Sequence, residues 1–189
     1  MPLERTALRA AAEFASPAWQ DRLLDLATGT GGFLRELAVH PPGPAGVVGL
    51  DPSAAMLRRV PPLPPGWRLI QARAESVPLP DQSFEIVVAS FLLHTLEPPH
   101  RERVLREARR LLCPDGRLVV VTMAPPSSRL MRTLAAPLLA LARSSGGALA
   151  GLRPLDPGPD LKRAGFALQS TRRTGLGYPA FVVLATPAH

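Results

Sequence analysis

Cysteine, lysine and tyrosine occur once each in this 189-residue sequence, as Cys113, Lys162 and Tyr178. A single cysteine permits no intrachain disulfide and no cysteine cluster for zinc or arsenic, and it suits a reducing cytoplasm. No apolar run reaches the roughly 18 to 20 residues that a membrane span needs. The N-terminal MPLERTALRAAAEF alternates charges with small residues and lacks the apolar core of a signal peptide. A cytoplasmic protein is therefore expected. Acidic residues are also scarce: 15 against 22 basic ones give a net charge of +7 and a pI near 11.2. With all but one of those basic residues arginine, and 23 prolines beside abundant alanine, the excess reads as GC-rich coding spread over the surface. Arg101, Arg103, Arg106, Arg109 and Arg110 form the main cluster, with Glu102 and Glu107 interleaved. That spacing reads as a solvated, ion-paired helix face.

What is present is enough for one globular domain: 46% hydrophobic residues and 20% charged. Its organising stretch is Leu23 to Phe33, LLDLATGTGGF. Leu23, Leu24 and Leu26 around Asp25 read as a buried strand, and Gly29, Gly31 and Gly32 follow where the chain must turn into a helix. The dinucleotide fingerprint G-x-G-x-x-G, started at Gly29, needs glycine where Leu34 stands. Asp25 at the strand end would also repel a pyrophosphate and attract a cation. S-adenosylmethionine, with a sulfonium, an ammonium and no phosphate, suits that arrangement better. A second apolar strand, in GVVGLDPSAAML, ends in Asp51, where a carboxylate can accept from both hydroxyls of a ribose.

Asp25-Leu-Ala-Thr-Gly-Thr-Gly resembles the first motif of class I S-adenosylmethionine-dependent methyltransferases, and most nearly the ubiquinone/menaquinone C-methyltransferase type, where alanine often replaces the first glycine. The resemblance continues through Gly49-Leu-Asp-Pro-Ser-Ala-Ala-Met-Leu, Ala74-Glu-Ser-Val-Pro-Leu-Pro-Asp-Gln-Ser-Phe-Glu and Leu111-Leu-Cys-Pro-Asp-Gly-Arg-Leu, covering about residues 20–123. It implies a doubly wound, Rossmann-like α/β domain with a mostly parallel seven-stranded sheet whose last strand is antiparallel.

The alternation of elements independently predicts a parallel sheet with right-handed crossovers. A helix is expected over 3–15 with little to bury, ended by Ser16-Pro17. Strands follow at 22–27, 46–50, 67–71, 84–89 and 117–123. Helices are expected at 31–39, from a Ser53 cap to Val60, and at 101–112, where Cys113-Pro-Asp-Gly breaks the last. Two final strands are placed at 167–172 and 181–186. One domain over 1–189 then divides into an N-terminal cap (1–20), a cofactor-binding core (21–123), a variable substrate lid (124–160) and the C-terminal strands (161–189). Within the lid, Leu130, Leu134, Leu138 and Leu141 share one helical face. Such a helix either packs on the core or rests on a membrane surface.

By resemblance, Asp25 and the backbone of Ala27, Gly29 and Gly31 hold the methionine end of the donor and Asp51 holds the ribose, with Thr28 and Pro52 also counted as cofactor-binding. The alternatives are a solvated strand-end acid at Asp25 and an N-cap at Asp51. Met56 and Leu57 either cover the adenine or pack on their helix. Ala74 meets the adenine edge, Glu75 compensating for Arg73, which stands where the family often has Asp or Asn. Ser90, Phe91 and His94 follow the fourth strand on the acceptor side. His94 is either a general base or a packed helix histidine, and Cys113 reads as structural. The expected cofactor is S-adenosyl-L-methionine, giving S-adenosyl-L-homocysteine, with a small, lipophilic acceptor and a monomer or homodimer. An RNA methyltransferase is opposed by the lone tyrosine and the lack of an added binding domain. A non-catalytic S-adenosylmethionine-binding regulator is motivated by Arg73 and the short N-terminus.

Overall fold

The computed structural model describes residues 4–39, 43–125, 153–175 and 179–188. Along the chain run α1 (Arg5–Ala15), β1 (Arg22–Leu26), α2 (Gly32–Ala38), β2 (Gly46–Asp51), α3 (Ala54–Leu57), β3 (Trp67–Gln71) and β4 (Phe84–Ser90). After a single 3-10 turn at Leu93–Thr95 come α4 (Pro98–Leu111), β5 (Leu112–Met123), α5 (Gly158–Arg163), β6 (Phe166–Thr174) and β7 (Ala180–Pro187). The seven strands form one sheet in the order β3-β2-β1-β4-β5-β7-β6. β1 to β5 pair in parallel, and β7 is antiparallel to both of its neighbours. The direction of the chain reverses across the sheet between β1 and β4, the place where open α/β sheets bind ligands beyond their strand ends.

Because successive side chains alternate across a strand, the core has two layers. Leu24, Leu26, Val48, Leu50, Val87, Ala89, Leu118 and Val120 face α4 and α5. Leu23, Val47, Ile86, Val88, Val119 and Val121 face α1 and α2. Leu23, Leu24 and Leu26 are completely buried, each contributing about 2 kcal/mol of apolar burial. The same alternation puts Asp25, Gly49, Asp51 and Ser90 on the α1/α2 layer. The sequence pattern thus aims all four at one end of one face.

Several expectations are corrected. α1 does not lack a face to bury: Ala7, Leu8, Ala10, Ala11, Ala12 and Ala15 are buried against α2, β5 and β7. Its alanines hide little area each but let the helix sit close to the sheet. Arg117 then donates to the carbonyls of Ala15 and Ser16 at 2.7 and 2.9 Å, satisfying the helix C-terminus with a cation. α3 stops at Leu57 instead of Val60. Ser53 caps it through the Met56 amide, but none of its residues is buried, and an unpacked turn does not propagate. α4 begins at Pro98, not Arg101, since proline fits a first helical turn. Cys113-Pro-Asp-Gly does not separate α4 from a later strand. It forms an irregularity inside β5, which starts at Leu112, and the β4 register slips there between Phe84 and Ile86. The lid expected around Ser127 to Arg143 lies outside the described residues.

The α4 arginines act mainly as staples. Arg101 bonds Asp160 at 2.8 Å, Arg106 bonds Glu102, and Arg109 donates to the carbonyls of Gly165 and Ala188. Arg110 donates to Glu107, to Asp81, and to the carbonyls of Val77 and Leu79, while Glu107 accepts from the Val77 amide at 2.7 Å. The segment after β3 is thereby fastened to α4.

Candidate active site

β1 ends in a turn whose backbone passes through left-handed conformations at Ala27 (φ 61°), Gly29 (57°) and Gly31 (79°). Alanine in that region costs about 1 to 2 kcal/mol, and the surrounding bonds hold it there. The Thr28 amide donates to Leu50 O at 2.8 Å, and the Gly29 amide to Asp51 Oδ2 at 2.9 Å. Asp51 also accepts from the Ser53 amide through Oδ1 at 2.9 Å. Ser53, not Asp51, caps α3, so Asp51 belongs to the turn. A Cβ added at Gly49 would lie 2.7 Å from Thr28 Oγ1, so only glycine lets Thr28 fold down onto β2.

Thr28 Oγ1 donates to Asp25 Oδ2 at 2.9 Å. Asp25 is 1% exposed, which removes the solvated reading of this acid. Its Oδ1 is buried without a hydrogen-bond partner, as are Ser90 Oγ and His94 Nδ1. Burial pushes the Asp25 carboxyl up to about 7, opposed by the Thr28 bond and assisted by the nearby Asp51 charge. Buried polar atoms without partners are rare and call for an explanation. Asp25 and Ser90 share one: both line an open cleft of about 870 Å³.

The cleft brings together Asp25, Ala27, Thr28, Gly29 and Ser90 of the residues expected from sequence, with Phe91 beside them. Gly31 does not line it. Gly31 turns toward Val60 on the other flank of α2, where an added Cβ would lie 2.9 Å from Val60 Cγ1. Asp51 reaches the turn through its bond to Gly29. Pro52, Met56, Ala74 and Glu75 sit beyond the ends of β2 and β3, outside the cleft lining. Pro52 and Met56 are exposed and Ala74 is buried. Glu75 Oε1 already accepts from His100 at 3.1 Å and Arg73 at 3.2 Å. His94 is buried and absent from the lining. It packs edge-to-face on Phe91, with ring centroids 6.0 Å apart. Burial lowers its pKa to about 4, so the ring is neutral at neutral pH.

Sequence reasoning missed the outer wall. Glu4, Arg5 and Leu8 at the start of α1 line the cleft, as do Phe33, Arg35 and Glu36 of α2. Arg5 Nε donates to Glu36 Oε1 at 2.7 Å across the gap between the two helices. The available signal was the one-turn spacing of Arg5 and Leu8 on a helix otherwise rich in alanine.

The donor set fits a ligand with a cationic end and no phosphate. An acid with a free buried oxygen faces the cleft, a second acid stands at the neighbouring strand end, and an added Cβ at Gly29 would meet nothing within 4 Å. Among the described residues no three His, Cys, Asp or Glu side chains gather to hold a metal. No described helix is long and apolar enough to cross a membrane.

Comparisons with known proteins agree with this geometry. The family model described as a methyltransferase domain matches residues 23–116. The demethylmenaquinone methyltransferase of Thermotoga maritima is 36% identical over 109 residues, covering 58% of this chain and 46% of the relative. The ubiquinone/menaquinone biosynthesis C-methyltransferase UbiE of Pseudomonas savastanoi is 36% identical over 130 residues, covering 65% and 50%. The chain thus spans about half the length of the curated relatives it matches. The crystal structure of a SAM-dependent methyltransferase from Methanosarcina mazei superposes with a TM-score of 0.72 at 18% identity, covering 91% of this chain and 94% of the other. That likeness carries the fold alone. The match to the methyltransferase-domain family thus falls on residues 23–116, the segment that carries β1 to β4, the glycine turn and the two strand-end acids.

Proposed function

We propose that this protein transfers the methyl group of S-adenosyl-L-methionine to a small lipophilic acceptor. The observation that carries the proposal is the partnerless, buried Oδ1 of Asp25 at the floor of a cleft beside a glycine turn. Asp25 with Ala27, Thr28 and Gly29 is assigned the methionine end, and Asp51 with Pro52 the ribose; Gly31, which faces Val60, is left to shape the turn. Met56, Ala74 and Glu75 are assigned the adenine side. For Glu75 that assignment uses only the carboxylate capacity left over from Arg73 and His100. Ser90 is assigned the boundary between donor and acceptor. Leu8, Phe33, Val39 and Phe91 give the cleft apolar wall, which supports a lipophilic acceptor. The names of the relatives, a demethylmenaquinone methyltransferase and a ubiquinone/menaquinone biosynthesis C-methyltransferase, point the same way.

S-adenosylmethionine supplies a methyl already activated by its sulfonium. The work left to the chain is to hold donor and acceptor in line and to exclude water. His94 would contribute as proton acceptor only weakly, since a base with a pKa of about 4 has little driving force at neutral pH. The proposed catalysis is therefore chiefly positional. The lone, unpaired Cys113 supports a cytoplasmic location.

Calorimetric titration of the wild type and Asp51→Ala with S-adenosylmethionine and S-adenosylhomocysteine tests the donor site. Micromolar binding by the wild type, lost in a variant that still unfolds cooperatively, is expected. Failure of the wild type to bind either compound would reject the proposal. Transfer of labelled methyl to a demethylated quinol analogue then tests the acceptor.

A further inference from the structure

The methionine end of the donor is a zwitterion, and Asp25 answers only its ammonium. A carboxylate is bound most strongly by a cation, and among the described residues two arginines line the same cleft, Arg5 and Arg35. They are not equivalent. Arg35 is on α2, spends Nη1 on the Thr30 carbonyl at 2.6 Å, and also borders the separate groove formed with Val60 and Pro61 to Pro64. Arg5 approaches from α1, on the opposite wall. Its Nε is held by Glu36 at 2.7 Å, and Glu36 itself is nearly buried. The two terminal nitrogens of Arg5 have no partner among the described residues.

A guanidinium anchored through Nε with its fork unengaged has the shape that takes a carboxylate by two parallel hydrogen bonds. Its helix already stands over the turn, because a Cβ added at Gly32 would lie 3.3 Å from Leu8 Cδ1, one helical turn beyond Arg5. We infer that Arg5, oriented by Glu36, is the residue that binds the α-carboxylate of the donor. The inference rests on the donor reading proposed above. It makes α1 part of the cofactor site, with Glu36 as a positioning residue.

The test compares S-adenosylmethionine with its decarboxylated analogue, which differs by the carboxylate alone, on the wild type, Arg5→Gln, Arg5→Lys and Arg35→Gln. The wild type is expected to prefer S-adenosylmethionine at least tenfold. Arg5→Gln should bring that ratio close to one while changing affinity for the decarboxylated analogue less than twofold, which also shows that the variant is folded. Arg5→Lys should keep part of the preference, and Arg35→Gln all of it. Equal weakening of both ligands by Arg5→Gln would assign Arg5 a structural role and overturn the inference. So would a wild type that binds both without preference, or loss of preference in Arg35→Gln instead. A wild type that binds neither ligand rejects the donor reading itself, and is distinct from all of these results.

Discussion

Replacing Asp25 with asparagine should stabilise the protein without its donor while weakening donor binding. A carboxyl raised from 3.8 to about 7 in the folded state costs that state about 4 kcal/mol at and above neutrality. The sign follows from proton counting. Between those two values the unfolded chain has released the proton and the native state still holds it, so stability falls as pH rises from about 4 to about 7. Below 3.8 both states are protonated and the cost vanishes. Asparagine retains an acceptor for Thr28 Oγ1 but introduces a buried amide N–H₂, worth a penalty of about 1 to 3 kcal/mol. Urea unfolding should therefore find Asp25→Asn more stable by about 2 kcal/mol at pH 8, and less stable than the wild type near pH 4. His94, whose pKa is lowered to about 4 by burial, destabilises the native state as pH falls below 6.5. It does so in both proteins and cancels in the difference. The same variant should bind S-adenosylmethionine at least tenfold more weakly, because the ammonium loses its counter-charge. A stability difference that does not change between pH 4 and 8 would refute the argument, since it would mean that Asp25 is not held protonated by burial.

Two further substitutions probe how the site is supported. Gly49→Ala would thrust a methyl to 2.7 Å from Thr28 Oγ1 and 3.0 Å from Leu69 Cδ2; a loss of about 1 to 3 kcal/mol is expected in chemical denaturation. A fully stable variant with unaltered donor affinity would show that Thr28 needs no such closeness. Arg110→Ala removes the donors to the carbonyls of Val77 and Leu79 and strips Glu107 of its cationic partner, leaving it only the Val77 amide. It should cost about 3 kcal/mol and weaken S-adenosylhomocysteine binding through the segment bearing Ala74 and Glu75, and a change within about 0.5 kcal/mol would contradict the stapling role.

The sheet was largely readable because its central strands are buried on both faces and so are nearly unbroken apolar runs. Leu23 to Leu26, Val47 to Leu50 and Phe84 to Ser90 announce themselves in this way, as do the acids and glycines that end them. The reading failed where the deciding quantity was contact between distant segments. Nothing local in Arg5 reveals that Glu36 waits 31 positions away. Nor does an alanine-rich helix look like a wall, because alanine carries little hydrophobic signal and earns its burial by closeness. The orphaned oxygen of Asp25 was equally hidden, since the sequence places the acid at the strand end but does not show its burial beneath α1 and α2. The Cys113-Pro-Asp-Gly segment misled for the opposite reason: strong local turn chemistry was absorbed as an irregularity within a long strand.

The docking of α1 also sets an order of assembly. The helix precedes β1 in the chain, yet it rests on β5 and β7 and is capped by Arg117. Synthesis delivers the first four strands and the glycine turn well before β7 can be added to the sheet beside β5. Until that late, antiparallel strand arrives, Ala180 and Val182 are missing from the surface that α1 covers, and the α1 part of the cleft wall lacks its full support. Closure of the site is thus coupled to the most sequence-distant contacts in the molecule, which are the slowest kind to form. A nascent or C-terminally truncated chain would own both the donor-binding turn and Arg5, but not the complete surface that docks α1 and holds Arg5 above the turn.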